Sequence, residues 1–278
     1  EFRGARVASR NGAGIRFEKG HLTIQGCRFV DNEMGLLTGN SAEQHLEVID
    51  SEFGDAPRHA GDLHHLLYVG AIGKFVLRGS HFYNGYLGHL VKSRARENHV
   101  LYNMLADGDG GKASYELEFP NGGIAFFIGN VIVQSAGTDN ASMVSYGAEG
   151  PRWADNALYL SHNTLLNDHH AGSFLSVAAD KFPAMAEVWA INNLTIGNGN
   201  FYPPAQGRFE GNRSVSRAEL IEYGGFPLRL SNLSALRGAV RLPGSVGDVT
   251  LLPNAQFNYP VGTRPLRVSS ALSPGAFQ

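Results

Sequence analysis

In the stretch GHLVKSRAREN, residues 88–98, a histidine, a lysine and two arginines (His89, Lys92, Arg94 and Arg96) stand within a few positions of one another. Histidine and lysine side chains move protons, and a guanidinium grips a carboxylate with two parallel hydrogen bonds. Upstream, HHLLYVG (64–70) carries His65 and Tyr68. His65 and His89 begin matching H-x-x-Tyr and H-x-x-Lys frames. Downstream, ASYELEFPNGG (113–123) carries Glu116, Glu118 and Asn121, and ASMVSYGAEG (141–150) carries Tyr146 and Glu149. Such a set can bind an anion and transfer protons only if the fold brings together residues some two dozen positions apart.

A repeat supplies the means. HLTIQGCRFVDN (21–32), HLEVIDSEFGDA (45–56) and KFVLRGSHFYNG (74–85) share an apolar-x-apolar-x-x-small-x-Phe frame followed by a polar turn. It recurs more loosely in HVLYNMLADG (99–108), AFFIGNVIVQS (125–135), ALYLSHNTLLND (157–168) and EVWAINNLTIGN (187–198). The small polar position falls at Cys27, Ser51, Ser80, Asn103, Asn130, Asn163 and Asn193, at intervals of 24, 29, 23, 27, 33 and 30 residues. Periods of this size built from short β-branched runs predict an all-β parallel solenoid of about 8–10 coils. Coils stack about 4.8 Å apart, so equivalent residues become neighbours and the turn asparagines form a ladder. The pattern strongly resembles the right-handed parallel β-helix (pectate-lyase-like) proteins over residues ~10 to ~215.

Between the ladder segments lie second strands: HHLLYVG, GHLVKSRA, ASYELEF and ASMVSYG. Alternation places Leu67, Val69, Val91, Ser93, Tyr115, Leu117, Met143 and Ser145 inward. The outward column then contains Tyr68, Lys92, Arg94, Glu116, Glu118 and Tyr146, flanked by His65, His89 and the PNGG loop at 120–123. A plainer reading of the same residues is a cross-strand ladder of Lys92 and Arg94 with Glu116 and Glu118 on a solvated face, worth about 0–1 kcal/mol per pair.

HLVKSRAREN is similar to the S-V-K-S-x-x-N stretch of β-helical polysaccharide lyases of the chondroitinase B and alginate lyase type. Lys92 and Ser93 match the K-S, and Asn98 matches after a gap. In that family the lysine is the base and an arginine on the following coil assists as acid, whereas here the following coil carries Glu116 and Glu118. The whole chain also resembles bacterial β-helix proteins with GH-x-x-KSRA followed by SYE and PNGG. The resemblance implies β-elimination on a uronic-acid-containing polysaccharide. Arg94 would hold the substrate carboxylate, Lys92 or His89 would take the C5 proton, and Tyr68 or His65 would protonate the leaving oxygen. Glu116 would orient Lys92 and Arg94 or help hold a cation, while Glu118, Asn121, Tyr146 and Glu149 complete the substrate-binding set. The alternatives are a glycoside hydrolase pairing Glu116 with Asp107 or Glu149, and a non-catalytic glycan-binding module.

Composition bounds the rest. The 278 residues are 43% hydrophobic and 17% charged, enough apolar material for one sizeable core. A net charge of −2 gives no broad basic footprint for nucleic acid. No apolar run approaches the ~18 residues of a membrane span. Cys27 is the single cysteine, which excludes an intrachain disulfide and a cysteine metal cluster. The histidine pairs His64-His65 and His169-His170 lack zinc spacing, and no G-x-G-x-x-G opens a helix. Asp107, Asp109 and Glu118 occupy the first, third and twelfth places of an EF-hand-like loop, but Gly111 and Lys112 stand where a ligand and a glycine are needed. These motifs name no certain cofactor, and Ca²⁺ through Glu116, Glu118 and Asp107 is the one candidate. From about Ser216 the repeat is lost, so 216–278 reads as the last coils plus an irregular C-terminal cap within the same domain. The ending GAFQ resembles the GAYE-like ending of exported β-helix proteins, and the chain opens at Glu1-Phe2 without a leader. Together these predict an exported (periplasmic or extracellular) monomer whose partner is an acidic polysaccharide, not nucleic acid or membrane.

Overall fold

A computed structural model describes residues 1–59, 63–182, 184, 186–204, 206–266 and 271–278. The chain winds into a parallel β-helix whose three sheets run the length of the solenoid. Sheet A takes Arg28–Val30, Glu52–Gly54, His81–Tyr83, Met104–Ala106, Val131–Gln134, Thr164–Asn167 and Leu194–Gly197, with Phe2–Arg3 before them and Arg213–Val215 after. Sheet B takes Ala13–Phe17, Met34–Thr38, Leu67–Val69, Val91–Ser93, Leu117–Phe119, Ser142–Tyr146 and Ser173–Val177. Sheet C begins at His21–Gln25 and ends at Arg208–Glu210. Seven turns contribute one strand to each sheet, fewer than the eight to ten expected, because the chain leaves the helical path after Val215.

The repeat owes its regularity to two stacks. Phe2, Phe29, Phe53 and Phe82 lie ring on ring at 4.8, 4.5 and 4.7 Å, the rise of one coil. At the corner between sheets C and A, each turn backbone N–H is accepted by the small polar side chain of the next coil. The series runs Cys27 to Ser51 (3.1 Å), Ser51 to Ser80 (3.1 Å), Ser80 to Asn103 (2.8 Å) and Asn103 to Asn130 (2.8 Å). It continues through Asn163, Asn193 and Asn212, the last of which the sequence pattern missed. The residue before each rung adopts left-handed backbone, supplied without steric cost by Gly26, Gly79, Gly129 and Gly211. Tyr102 and His162 occupy that conformation too, at a cost of about 1–2 kcal/mol each that the ladder must offset.

Beyond Val215 no strand joins the three sheets among the described residues; three antiparallel pairs follow instead. The segment lies along the flanks, because the outward faces of the later coils, from Met104 on in sheet A and from Ile124 on in sheet C, are apolar and need cover. Leu228, Leu230, Phe257 and Phe277 pack on Met104, Val131, Leu166 and Ile196 of sheet A. Leu251 and Ala255 pack against Phe126, Ile128 and Tyr159 of sheet C. Of the stretch 265–278, residues 267–270 lie outside the described residues. No described helix is long and apolar enough to cross a membrane.

Candidate functional site

The polar wall lies on the outward face of sheet B. Strand register places Tyr68, Lys92, Glu118 and Ser145 in one column on four successive coils. Val91 and Ser93 flank Lys92 and point inward. The Ser93 hydroxyl bonds Asn98 Oδ1 at 2.5 Å and Asn98 bonds the Ala95 carbonyl at 3.0 Å, which pins the turn out of the strand. Ser93 and Asn98, two of the residues that carried the family resemblance, are thus corner supports in this chain. Arg94 begins the turn and reaches back over the column, while Arg96 is exposed and outside the cluster.

Glu118 Oε2 lies 2.9 Å from Lys92 Nζ and 3.0 Å from His89 Nε2, at ion-pair distance but without hydrogen-bond alignment. Burial alone would raise the Glu118 carboxyl, yet His89 and Lys92 outweigh it and hold the group below the usual carboxylate range. Glu149 reaches in from the loop after Tyr146. Its carboxylate takes Arg94 Nη1 at 2.6 Å and Nη2 at 2.9 Å, and Lys92 Nζ at 3.1 Å. The Arg94 grip, with Lys92, holds Glu149 down at about 2. Arg94 Nε donates to Tyr68 Oη at 2.9 Å, and Nη1 also bonds Asn121 Oδ1. Asn121 in turn donates to the Gly150 carbonyl, and the Trp153 indole donates to the Arg94 carbonyl at 3.0 Å.

The histidines play a different part from the one their type suggested. His65 Nδ1 accepts the His89 backbone N–H at 2.8 Å, and His89 Nδ1 accepts the Tyr115 N–H at 3.3 Å. Neutral rings held this way carry their proton on Nε2 and have no lone pair left for a base. Burial keeps both below the usual histidine range, most strongly for His65, where His89, Lys92 and Arg94 add to the effect.

Lys92, Arg94, His89, Tyr68, His65, Glu118, Asn121 and Glu149 therefore meet in one cluster. Glu116 and Tyr146 do not. Alternation breaks once in each coil, where two successive residues are buried: Leu66 and Leu67, Leu90 and Val91, and Glu116 and Leu117 at the entry to their strands, and Met143 and Val144 within Ser142–Tyr146. Strict alternation carried through that break wrongly placed Glu116 outside, and in the last strand it inverted Ser145 and Tyr146. Tyr146 is wholly buried, stacked on Phe182 at 5.6 Å with its hydroxyl on the Gly123 carbonyl at 2.6 Å. Matching Tyr146 to the aromatic Phe119 one coil earlier would have shown its direction.

Glu116 sits among core residues, accepting one bond from Gln134 Nε2 at 3.2 Å; its Oε1 and the Gln134 Oε1 have no hydrogen-bond partner among the described residues. Desolvation, followed by the nearby Asp107, raises its carboxyl well above the usual range. Asp107 uses one oxygen on the Gly85 N–H and the other on the Ala113 N–H, both at 2.8 Å, and burial raises it to about 6. It anchors a turn, so Glu116, Glu118 and Asp107 do not converge on a Ca²⁺ site. Among the described residues no group of three or more acidic, histidine or cysteine side chains is arranged to hold a metal. The hydrolase pairings of Glu116 with Asp107 or Glu149 also fail, since Glu116 is inside the solenoid.

No protein-family model matches the chain, and no curated protein or solved structure matches it.

Proposed function

We propose that the protein is carbohydrate-active and cleaves a uronic-acid-containing polysaccharide by β-elimination, as its resemblance to the chondroitinase B and alginate lyase type implies. A parallel β-helix is compatible with carbohydrate-active proteins. The observation that carries the reading is the convergence of Lys92 and Arg94 on one carboxylate beside the Tyr68 hydroxyl. In that seat a uronate carboxylate is neutralised by the Arg94 fork, which makes the C5 proton removable. Lys92 Nζ takes the C5 proton, and the C–H pair becomes the C4–C5 double bond. The C4–O bond breaks, and Tyr68, whose oxygen accepts from Arg94 and whose own hydrogen remains free to donate, protonates the departing oxygen. His65 and His89 serve as Nε2–H donors that shape the wall.

Hydrolysis fits less well. Glu118 and Glu149 both touch the Lys92 ammonium, so they lie within about 6 Å of each other, a spacing that paired-carboxylate chemistry accepts. Both are held below the usual carboxylate range, however, and the carboxyls that burial raises, Glu116 and Asp107, are sealed inside. A hydrolase needs an accessible protonated acid. The reading includes export to the periplasm or beyond, where acidic polysaccharides are met, and action as a monomer. The test is incubation of purified protein with alginate, pectate, glucuronan and glycosaminoglycans, with and without chelator. Near-ultraviolet absorbance from an unsaturated product on one of them supports elimination. New reducing ends without that absorbance overturn it in favour of hydrolysis, and saturable binding without new ends overturns catalysis.

A further inference from the structure

The cluster on sheet B is closed at rest. Side-chain exposure is 4% for Glu118, 11% for Lys92 and 19% for Arg94, but 44% for Glu149, which lies over the two cations as the outermost member. Two cations face two carboxylates, so the wall offers no net charge to an arriving polyanion. We propose that Glu149 is a resident stand-in for the substrate's carboxylate, filling the Arg94–Lys92 seat until a uronate displaces it. This deepens the uronate reading and rests on it.

Three features support the assignment. Each Glu149 oxygen takes an Arg94 nitrogen and one also takes Lys92, the grip a sugar carboxylate would receive. The seat survives without Glu149, because Tyr68 holds Arg94 Nε, Asn121 holds Nη1 and the Tyr68 ring lies 5.8 Å from the guanidinium carbon. The backbone around Glu149 is also fixed: Gly147 N–H bonds the Phe119 carbonyl, Glu149 N–H the Pro120 carbonyl and Arg152 N–H the Asn121 carbonyl, at 2.9, 2.8 and 3.0 Å. Opening therefore needs only rotation of the exposed Glu149 side chain into solvent. A neutral sugar cannot replace it, since the Arg94 guanidinium, only 19% exposed, would be left without an anion while Lys92 kept Glu118. The displacement selects for a ring that brings its own carboxylate and lowers apparent affinity by the fraction of time the seat is filled.

The experiment compares wild type, Glu149→Gln and Glu149→Ala in NMR titrations with D-glucuronate, D-galacturonate, the neutral D-glucose and a sulfated monosaccharide at constant ionic strength. The expected result is a tenfold or greater gain in uronate affinity for Glu149→Ala, a smaller gain for Glu149→Gln and no change for glucose. Adding Arg94→Ala to Glu149→Ala should erase the gain. A folded Glu149→Ala protein, checked by circular dichroism, that binds both uronates no better than wild type overturns the proposal, as would an equal gain for glucose. A larger gain for the sulfated sugar overturns the carboxylate assignment. If affinity rises but no polymer yields unsaturated product, the stand-in holds and the elimination reading falls. If wild type cleaves a uronan and neither variant gains affinity, the stand-in falls and the elimination reading holds.

Discussion

Glu116 gives the solenoid a pH-dependent stability that one substitution should remove. It stands in a core position between Leu90 and Met143 of the neighbouring coils and is fully buried. Gln134 already donates to one of its oxygens, and the two atoms left without a partner are Glu116 Oε1 and Gln134 Oε1, both acceptors when the acid is ionised. A protonated Glu116 supplies the missing hydrogen. Because its folded pKa is raised by desolvation and by Asp107, the native state binds the proton more tightly than the unfolded chain. Stability is then fully present below the ordinary value of 4.5 and falls as pH rises toward the folded pKa, by about 1.4 kcal/mol per pH unit. That is about 3–5 °C in unfolding midpoint per unit for a chain of this size. Glu116→Gln carries a permanent amide donor and no charge, so its stability relative to wild type should be flat below pH 4.5 and climb with that slope above it. His65 and His89, whose depressed values contribute stability that is lost as pH falls, are common to both proteins and cancel in the difference. Denaturant unfolding followed by circular dichroism from pH 4 to 9, with m checked for constancy, reads the effect. A difference that stays level from pH 5 to 8 would refute the protonated, buried acid.

Three further outcomes check the ladder, the correction at Tyr146 and the base. Asn130→Ala removes the acceptor for the Asn103 N–H and the donor to the Val100 carbonyl, and should cost about 3–5 kcal/mol. Asn130→Ser, which restores the hydroxyl acceptor used at Ser51 and Ser80, should recover part of that in the same unfolding assay. Tyr146→Phe loses the bond to the Gly123 carbonyl and should cost about 1–2 kcal/mol without altering uronate binding or cleavage; a lost activity would return Tyr146 to the site. Lys92→Met keeps the packed stem but removes the charge opposite Glu118, so unsaturated product should vanish while stability falls by about 3 kcal/mol, and retained product formation excludes Lys92 as base.

The coil architecture was legible because its determinants are local and repeat: the inward Phe29, Phe53 and Phe82, the small polar rung from Cys27 to Asn193, and the glycines that permit the turn before a rung. Stacking of identical units then makes Tyr68, Lys92 and Glu118 neighbours with no further information, which is why much of the cluster could be named from the chain alone. What could not be read is where the alternation breaks. Strand alternation has a period of two only while the strand is regular, so the consecutive buried pairs Glu116–Leu117 and Met143–Val144 put Glu116 and Tyr146 into the core against expectation. Nor did local pattern say how Glu149 would use its side chain, since an acidic residue in a Gly-Pro loop is unremarkable until the loop is pinned to Phe119, Pro120 and Asn121. The fate of residues after Val215 was equally hidden, because cover for the apolar flanks of sheets A and C is a need of the assembled solenoid and not of any segment. The amino-acid order thus set the repeat and its facing residues, whereas burial, pairing and access at the wall were decided only when seven coils and their flanking strap packed together.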